Sequence, residues 1–251
     1  RMRESLIMEA IYKGSGEFQC GIINAHNFQP GNKDIYMEGG DILIAREDIL
    51  LIGNGVRTST QGIDMLVSQL CHIAPQGQKH IIVQQLPSTP ESFIHLDMVF
   101  TLLDHDKCMV FEPLILRDNQ YQTVHITIDN GKVSRISHAH NLPRVLKSLG
   151  MDLEPVICGG RDDEWNQERE QWHSGANFFA FAPGKVLSYA RNTNTLNELA
   201  NHGFEIIPAW DVINGKASGE GEKRCVVTIE GSELPRGGGG ARCMTMPLVR
   251  E

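Results

Sequence analysis

The 251-residue sequence lacks any apolar run approaching the roughly 20 residues that a membrane-crossing helix needs. No secretory signal pattern opens it. Its cysteines, at 20, 71, 108, 158, 225 and 243, never form a Cys-x-x-Cys pair or any other paired spacing. That scatter argues against a disulfide framework and fits reduced thiols in a cytoplasmic protein. The plainest role for any one of them is that of a small buried hydrophobe. An excess of positive charge is also missing. The net charge of -8 speaks against a nucleic-acid backbone as partner, because phosphate binding needs a basic face. Arg1 and not Met stands first, so the native protein is expected to start earlier. What remains is ordinary globular composition, 41% hydrophobic and 22% charged, with length for one large domain or two small ones.

One pattern recurs three times: a two-stranded hairpin, a helix, then a strand. The first copy has its hairpin at 41–53, turning at Arg46–Asp48, and a helix at 59–74 with Ile63, Leu66, Leu70 and Ile73 on one face. A strand at 80–86 closes it. The second copy has its hairpin at 98–112 and carries an extra hairpin at 123–137, where Asn130-Gly131 signals a type I′ turn. Its helix runs from the cap Asn141 to Gly150, and its closing strand is 154–158. The third copy turns at Pro183-Gly184, has a helix at 192–203, and closes with 204–209. Residues 2–13 predict a leading helix, 211–224 a mobile loop, and 225–229 a last strand before four glycines at 237–240. Such repetition predicts a propeller-like or stacked α/β arrangement.

Polar clusters sit at the ends of these elements. Glu38 and Asp41 flank a Gly-Gly break, His95 and Asp97 lie two apart and share a side if extended, Arg57 follows the first hairpin, and Cys243 follows the glycines. Each has a plainer explanation alone: turn carboxylates, a hydrogen-bonded core histidine, a solvated cap. A metal site from His95 and the carboxylates finds only weak support in the His-x-Asp spacing. Together they suit one chemistry. Carboxylates grip a planar guanidinium by charge-assisted hydrogen bonds, which leaves its central carbon open to a thiolate, while a histidine protonates the departing amine and then activates water.

These stretches carry a family resemblance. "RMRESL", "MEGGDILI", "IGNGVRTSTQGIDML", "HLDMVFTLLD", "REQWHSGANFFAFAPGKVLSYARNTNT" and "SELPRGGGGARCMTMPLVRE" resemble arginine deiminases of the guanidino-group-modifying (pentein) superfamily, in the family's order. The Cys-Met-Thr-Met-Pro ending points to the deiminases in particular. The resemblance implies a pentein α/β propeller of five ββαβ modules, of which this sequence holds about three plus a terminal strand pair. Residues 1–251 are then one catalytic domain lacking the amino-terminal module and the helical insertion.

By that resemblance Cys243 is the nucleophile, His95 the general acid and then base, Glu38 the residue orienting His95, and Asp97 a guanidinium ligand. Asp41 and Arg57 contact the substrate or hold the groups that do, Arg1 binds its carboxylate, and Gly237 lies near its amino-acid head group. Gly238 stands where many relatives have an arginine, while Arg236 remains. The glycine run is expected to be a mobile loop that closes over substrate. The implied reaction is hydrolysis of L-arginine to citrulline and ammonia, without metal or organic cofactor, in a dimer or higher oligomer. An amidinotransferase, an agmatine deiminase and a catalytically silent module are the alternatives.

Overall fold

The computed structural model describes residues 2–18, 20–24, 33–221, 223–237 and 239–247. Arg1 and Gly238 therefore lie outside the described residues. The chain opens with α1 (Met2–Gly14), as expected, and then β1 (Ile42–Arg46) and β2 (Ile49–Asn54) form the first hairpin. Helix α2 (Thr60–Ile73) starts where the Ser59 hydroxyl accepts the Gly62 N–H at 3.0 Å. Its apolar stripe buries Ile63 and Leu66 against the sheet, but Ile73, at the helix end, is 60% exposed. Strand β3 (Gln78–Gln85) returns parallel to β2. The hairpin β4 (Phe100–Asp104) and β5 (Lys107–Val110) follows, then β6 (Thr123–Asp129) and β7 (Lys132–Ala139). Asn130 and Gly131 both take positive φ, 47° and 75°, as a type I′ turn requires. Asn141 caps α3 (Leu142–Ser148), and β8 (Glu154–Ile157) pairs parallel with β5. Then come α4 (Glu164–Trp172), β9 (Phe179–Ala182), β10 (Lys185–Tyr189), α5 (Thr193–Asn201), β11 (Glu205–Pro208) and β12 (Cys225–Ile229).

The strands make three sheets, ordered β1-β2-β3-β6-β7, β4-β5-β8 and β11-β12-β10-β9. Two pairings differ from the sequence expectation. The extra hairpin belongs to the first sheet and not to the second copy, because β6 takes the free edge of β3, antiparallel from Gln78↔Asp129 to Gln84↔Thr123. In the third sheet β11 does not lie beside β10. Strand β12 inserts between them, parallel to both, with its all-buried Cys225, Val226, Val227 and Thr228 suited to a central position. The segment expected as a loop from 211 begins inside a short helix, Ala209–Ile213, and the Asp211 carbonyl then accepts the N–H groups of Lys216 and Ala217.

Two cores join the sheets in series. Leu43, Leu51 and Ile82 of the first sheet meet Phe100 and Val110 of the second and Leu142 and Leu146 of α3. On the other side of the second sheet, Leu103, Met109 and Val156 pack with Phe178, Val186 and Val226 at the third. Burial of several such side chains, at about 1.5–3 kcal/mol each, fixes the sheets against one another. The segments 38–41, 95–98 and 239–244, which adjoin these sheets, thereby acquire fixed relative positions. Among the described residues no helix is long and apolar enough to cross a membrane.

Candidate functional site

Glu38 is extended, at φ -127° and ψ 149°, and a 3-10 turn over Gly39–Asp41 leads from it into β1. The turn drives Asp41 inward to 0% exposure, where it accepts from the Thr58 hydroxyl at 2.6 Å and the Leu96 N–H at 2.9 Å. Burial outweighs those hydrogen bonds and pushes the Asp41 carboxyl up to about 6. Asp41 therefore pins the first sheet to the His-Leu-Asp segment. The condition for His95 and Asp97 to share a side, an extended segment, holds at His95 but not beyond it. His95 caps a 3-10 turn, Leu96–Met98, because the turn lets the Leu96 N–H point into the first sheet. His95 Nε2 lies 2.9 Å from one Glu38 oxygen, while Arg57 Nη1 donates to the other at 3.3 Å. The chain passes so close that a Cβ on Gly40 would sit 2.6 Å from His95 Nδ1.

The second half of the site hangs on Asp97, which is 1% exposed. Its Oδ2 accepts from Arg242 Nη1 at 2.8 Å, and its Oδ1 has no hydrogen-bond partner among the described residues. Burial raises the Asp97 carboxyl above the usual carboxylate range, against the opposing pull of Arg242 and His95. Arg242 also reaches the Ile42 carbonyl at 3.3 Å, so it bridges both halves. Cys243 follows on a 3-10 turn, Arg242–Met244. The Asn177 carboxamide oxygen accepts the N–H groups of Arg242, at 2.9 Å, and Cys243, at 3.3 Å. The Tyr189 hydroxyl donates to the Gly239 carbonyl at 2.7 Å and so tethers the glycine run.

Cys243 is exposed to solvent, yet the surrounding protein and the nearby Asp97 charge push its thiol up to about 11. The direction follows from the protein packed around the partly exposed thiol and from a like charge. The Asn177 hydrogen bond and Arg242 act the other way but are outweighed. Arg242, the neighbouring cation, is thus present and outweighed.

The structure gathers Glu38, Asp41, Arg57, His95, Asp97 and Cys243 at the ends of the three sheets. Gly237 closes the 3-10 turn Leu234–Arg236, with open space where a side chain would stand. Thr58, Asn177 and Arg242 had not been singled out in the sequence. All three lie in or beside the motif stretches, but a lone Thr, Asn or Arg carries no spacing signal. Among the described residues no three His, Cys, Asp or Glu side chains gather to hold a metal ion.

Residues 1–250 match the sequence profile of the family described as arginine deiminase. The arginine deiminase of Bacillus cereus is 36% identical over 259 positions, covering 100% of this chain and 56% of its own length. That of Mycoplasma capricolum is 32% identical, with the same 100% and 56% coverage. This chain thus spans about half the length of the curated relatives it matches. Among solved structures, ArgZ, a cyanobacterial arginine dihydrolase, superposes with a TM-score of 0.56 at 16% identity, over 99% of this chain and 29% of that one. The DDAH of Pseudomonas aeruginosa, solved as a Cys-to-Ser mutant with citrulline, gives 0.51 at 16%, over 97% and 65%. Those two likenesses show a shared mixed α/β fold, and with the profile match along nearly its whole length the chain belongs to the arginine deiminase family.

Proposed function

We propose that this site hydrolyses the guanidinium group of L-arginine to citrulline and ammonia through a covalent cysteine adduct. The observation that carries the reading is Asp97, a buried carboxylate that holds a guanidinium, that of Arg242, beside Cys243. Its second oxygen has no partner among the described residues. A substrate guanidinium takes the place of Arg242 and presents its carbon to Sγ.

In the first step the Cys243 sulfur attacks that carbon, a C–S bond forms, and a C–N bond breaks. His95 supplies the proton that lets nitrogen leave as ammonia. In the second step His95 takes a proton from water, whose oxygen adds to the same carbon. The C–S bond then breaks, releasing citrulline and the thiol. Glu38, 2.9 Å from His95 Nε2, orients the ring for both proton transfers. A substrate guanidinium whose carbon meets Sγ brings its positive charge against the sulfur itself, which opposes the Asp97 charge that helps hold the thiol up near 11. Asp41 keeps Leu96 in place, and Arg57 braces Glu38. In the whole protein Arg1 and Gly237 serve the carboxylate and amino end of the substrate. The three sheets correspond to three modules of a five-module α/β propeller, in a cytoplasmic oligomer.

The test is citrulline and ammonia release from L-arginine by protein of measured intact mass, with and without glycine. Equal citrulline and ammonia, lost in Cys243→Ala, supports the reading. Guanidinoacetate formed with glycine would instead mean amidino transfer, and turnover of agmatine in preference to arginine a different substrate. No product at a mass near 27.9 kDa would make this chain a silent module.

A further inference from the structure

Asn177 lies just before β9, in none of the roles assigned so far, and is 1% exposed. Its neighbour Phe178 is locked into the core between the second and third sheets, and its own N–H donates to the Ser174 carbonyl at 3.1 Å. The side chain is therefore presented from a fixed base. One end of its carboxamide accepts the successive N–H groups of Arg242 and Cys243. The other end donates to the Asp97 carbonyl at 3.1 Å. A single planar group thus ties the backbone of the cysteine to the backbone of the carboxylate, across 66 and 80 residues of sequence.

We infer that Asn177 is the positioning residue that sets where the Cys243 sulfur stands relative to a guanidinium held by Asp97. The inference rests on Cys243 being the nucleophile. The chemistry of the contact demands an amide. Two donors on one side need an acceptor, and a carbonyl on the other side needs a donor; a carboxylate, a hydroxyl or an alkyl group cannot serve both in that geometry. The chain is also shaped to the amide. A Cβ on Gly240 would lie 2.2 Å from Asn177 Oδ1, so that glycine is there for close approach. Gly239, at φ 74°, turns the chain just before it. Part of the glycine run thereby serves to seat the thiol on Asn177. Displacing a reacting atom by about 1 Å costs on the order of 100-fold in rate, which is the scale of effect expected here.

The groups acting on the thiol are Asp97, Arg242, the Gly240 backbone N–H and Asn177 itself, with the Tyr189 hydroxyl nearby. Asn177→Asp keeps the size but adds a negative charge beside the thiol and removes the donor to Asp97. Asn177→Ala frees the backbone at 242–243. The experiment is iodoacetamide alkylation of the whole chain between pH 7 and 11.5, read at Cys243 by peptide mass mapping, with exposed Cys20 as internal standard. The inflection at Cys243 should rise in both variants, because each loses the Asn177 hydrogen bond that favours the thiolate, and further in Asn177→Asp, which adds a negative charge. In protein that turns over arginine, kcat should drop about 100-fold in both variants with KM changed far less. A lowered melting temperature with an unchanged alkylation profile and kcat overturns the inference, leaving Asn177 a fold residue. If one variant does not fold, the direction of shift in the other decides. Retention of citrulline release by Cys243→Ala would instead sink the nucleophile assignment itself, whatever Asn177 does.

Discussion

Arg242 lays its guanidinium 2.8 Å from the buried Asp97 carboxylate, one residue ahead of the cysteine it helps to place. Removing one partner of such a pair strands the other. Arg242→Ala should destabilise the fold by about 3 kcal/mol at pH 8, because Asp97 is left ionised and desolvated. The Asp97 carboxyl is already raised in the folded state and rises further without Arg242. The loss should therefore be largest at neutral and alkaline pH and shrink as acid protonates Asp97 in both proteins. Urea unfolding at pH 5 and pH 8 measures it, urea being preferable to a guanidinium denaturant that competes for Asp97. Equal losses at both pH values would contradict the pairing. Added L-arginine should restore more stability to the variant than to the parent.

Asp41 gives a second pH signature. Its folded value near 6 lies above the ordinary 3.8, so the folded state holds its proton longer than the unfolded chain does. This group's contribution to stability is greatest below pH 4, falls as pH rises to about 6, and is flat above that, a loss of about 3 kcal/mol. Asp41→Asn keeps an acceptor for the Leu96 N–H and a donor for the Thr58 oxygen, without the titration. The melting temperature of the variant relative to the parent should climb by several degrees between pH 4 and pH 7. A pH-independent difference would show that Asp41 is not desolvated.

The cysteines should separate by reactivity. Cys20 and Cys243 are exposed, whereas Cys108, Cys158 and Cys225 are buried. Burial pushes the Cys158 thiol up to about 12, and that of Cys108 higher still. A disulfide reagent at pH 8 should label Cys20 first and Cys243 more slowly, and leave Cys108 and Cys158 untouched until the protein unfolds. Rapid native labelling of Cys108 would mean that the core between the first and second sheets opens readily.

Glu170 is 1% exposed and accepts from the Asn194 N–H and side-chain amide, at 3.0 and 2.8 Å, and from the Thr195 N–H and hydroxyl, at 2.8 and 2.7 Å. It is the external cap of α5. Glu170→Ala leaves the buried Thr195 donors and the half-buried Asn194 donors without this acceptor and should cost about 3 kcal/mol. Glu170→Gln keeps one acceptor oxygen and should cost less, about 1–2 kcal/mol. Denaturant midpoints of the two variants test the order.

Glu170 also marks where sequence stops being informative. Its stretch, "RDDEWNQEREQW", carries no apolar stripe and reads as surface, yet it forms α4 and buries a carboxylate against the next helix. The features readable in advance are those with local causes. The Asn130-Gly131 turn, the Ser59 and Asn141 caps and the period of α2 up to Leu70 depend on neighbours a few residues away. Which edge β6 joins and which strands β12 parts depend on pairing across long separations, and no local pattern encodes that. The site divides the same way. His95, Glu38, Asp97 and Cys243 carry chemistry that their residue types announce, whereas Arg242 and Asn177, in the same motif stretches, matter only because folding brings them to Asp97.

The insertion of β12 has a consequence for the order of assembly. A ribosome delivers β10 and β11 before β12, so a nascent chain ending at residue 224 holds two strands whose shared partner does not yet exist. Their facing edges must wait unpaired, open to chaperones or to mispairing with each other, until 225–229 emerges and closes the gap. The glycine run and Cys243 come off directly behind it, tethered to Tyr189 at the end of β10. The segment that bears Cys243 is thereby seated only after its own preceding strand has completed the sheet.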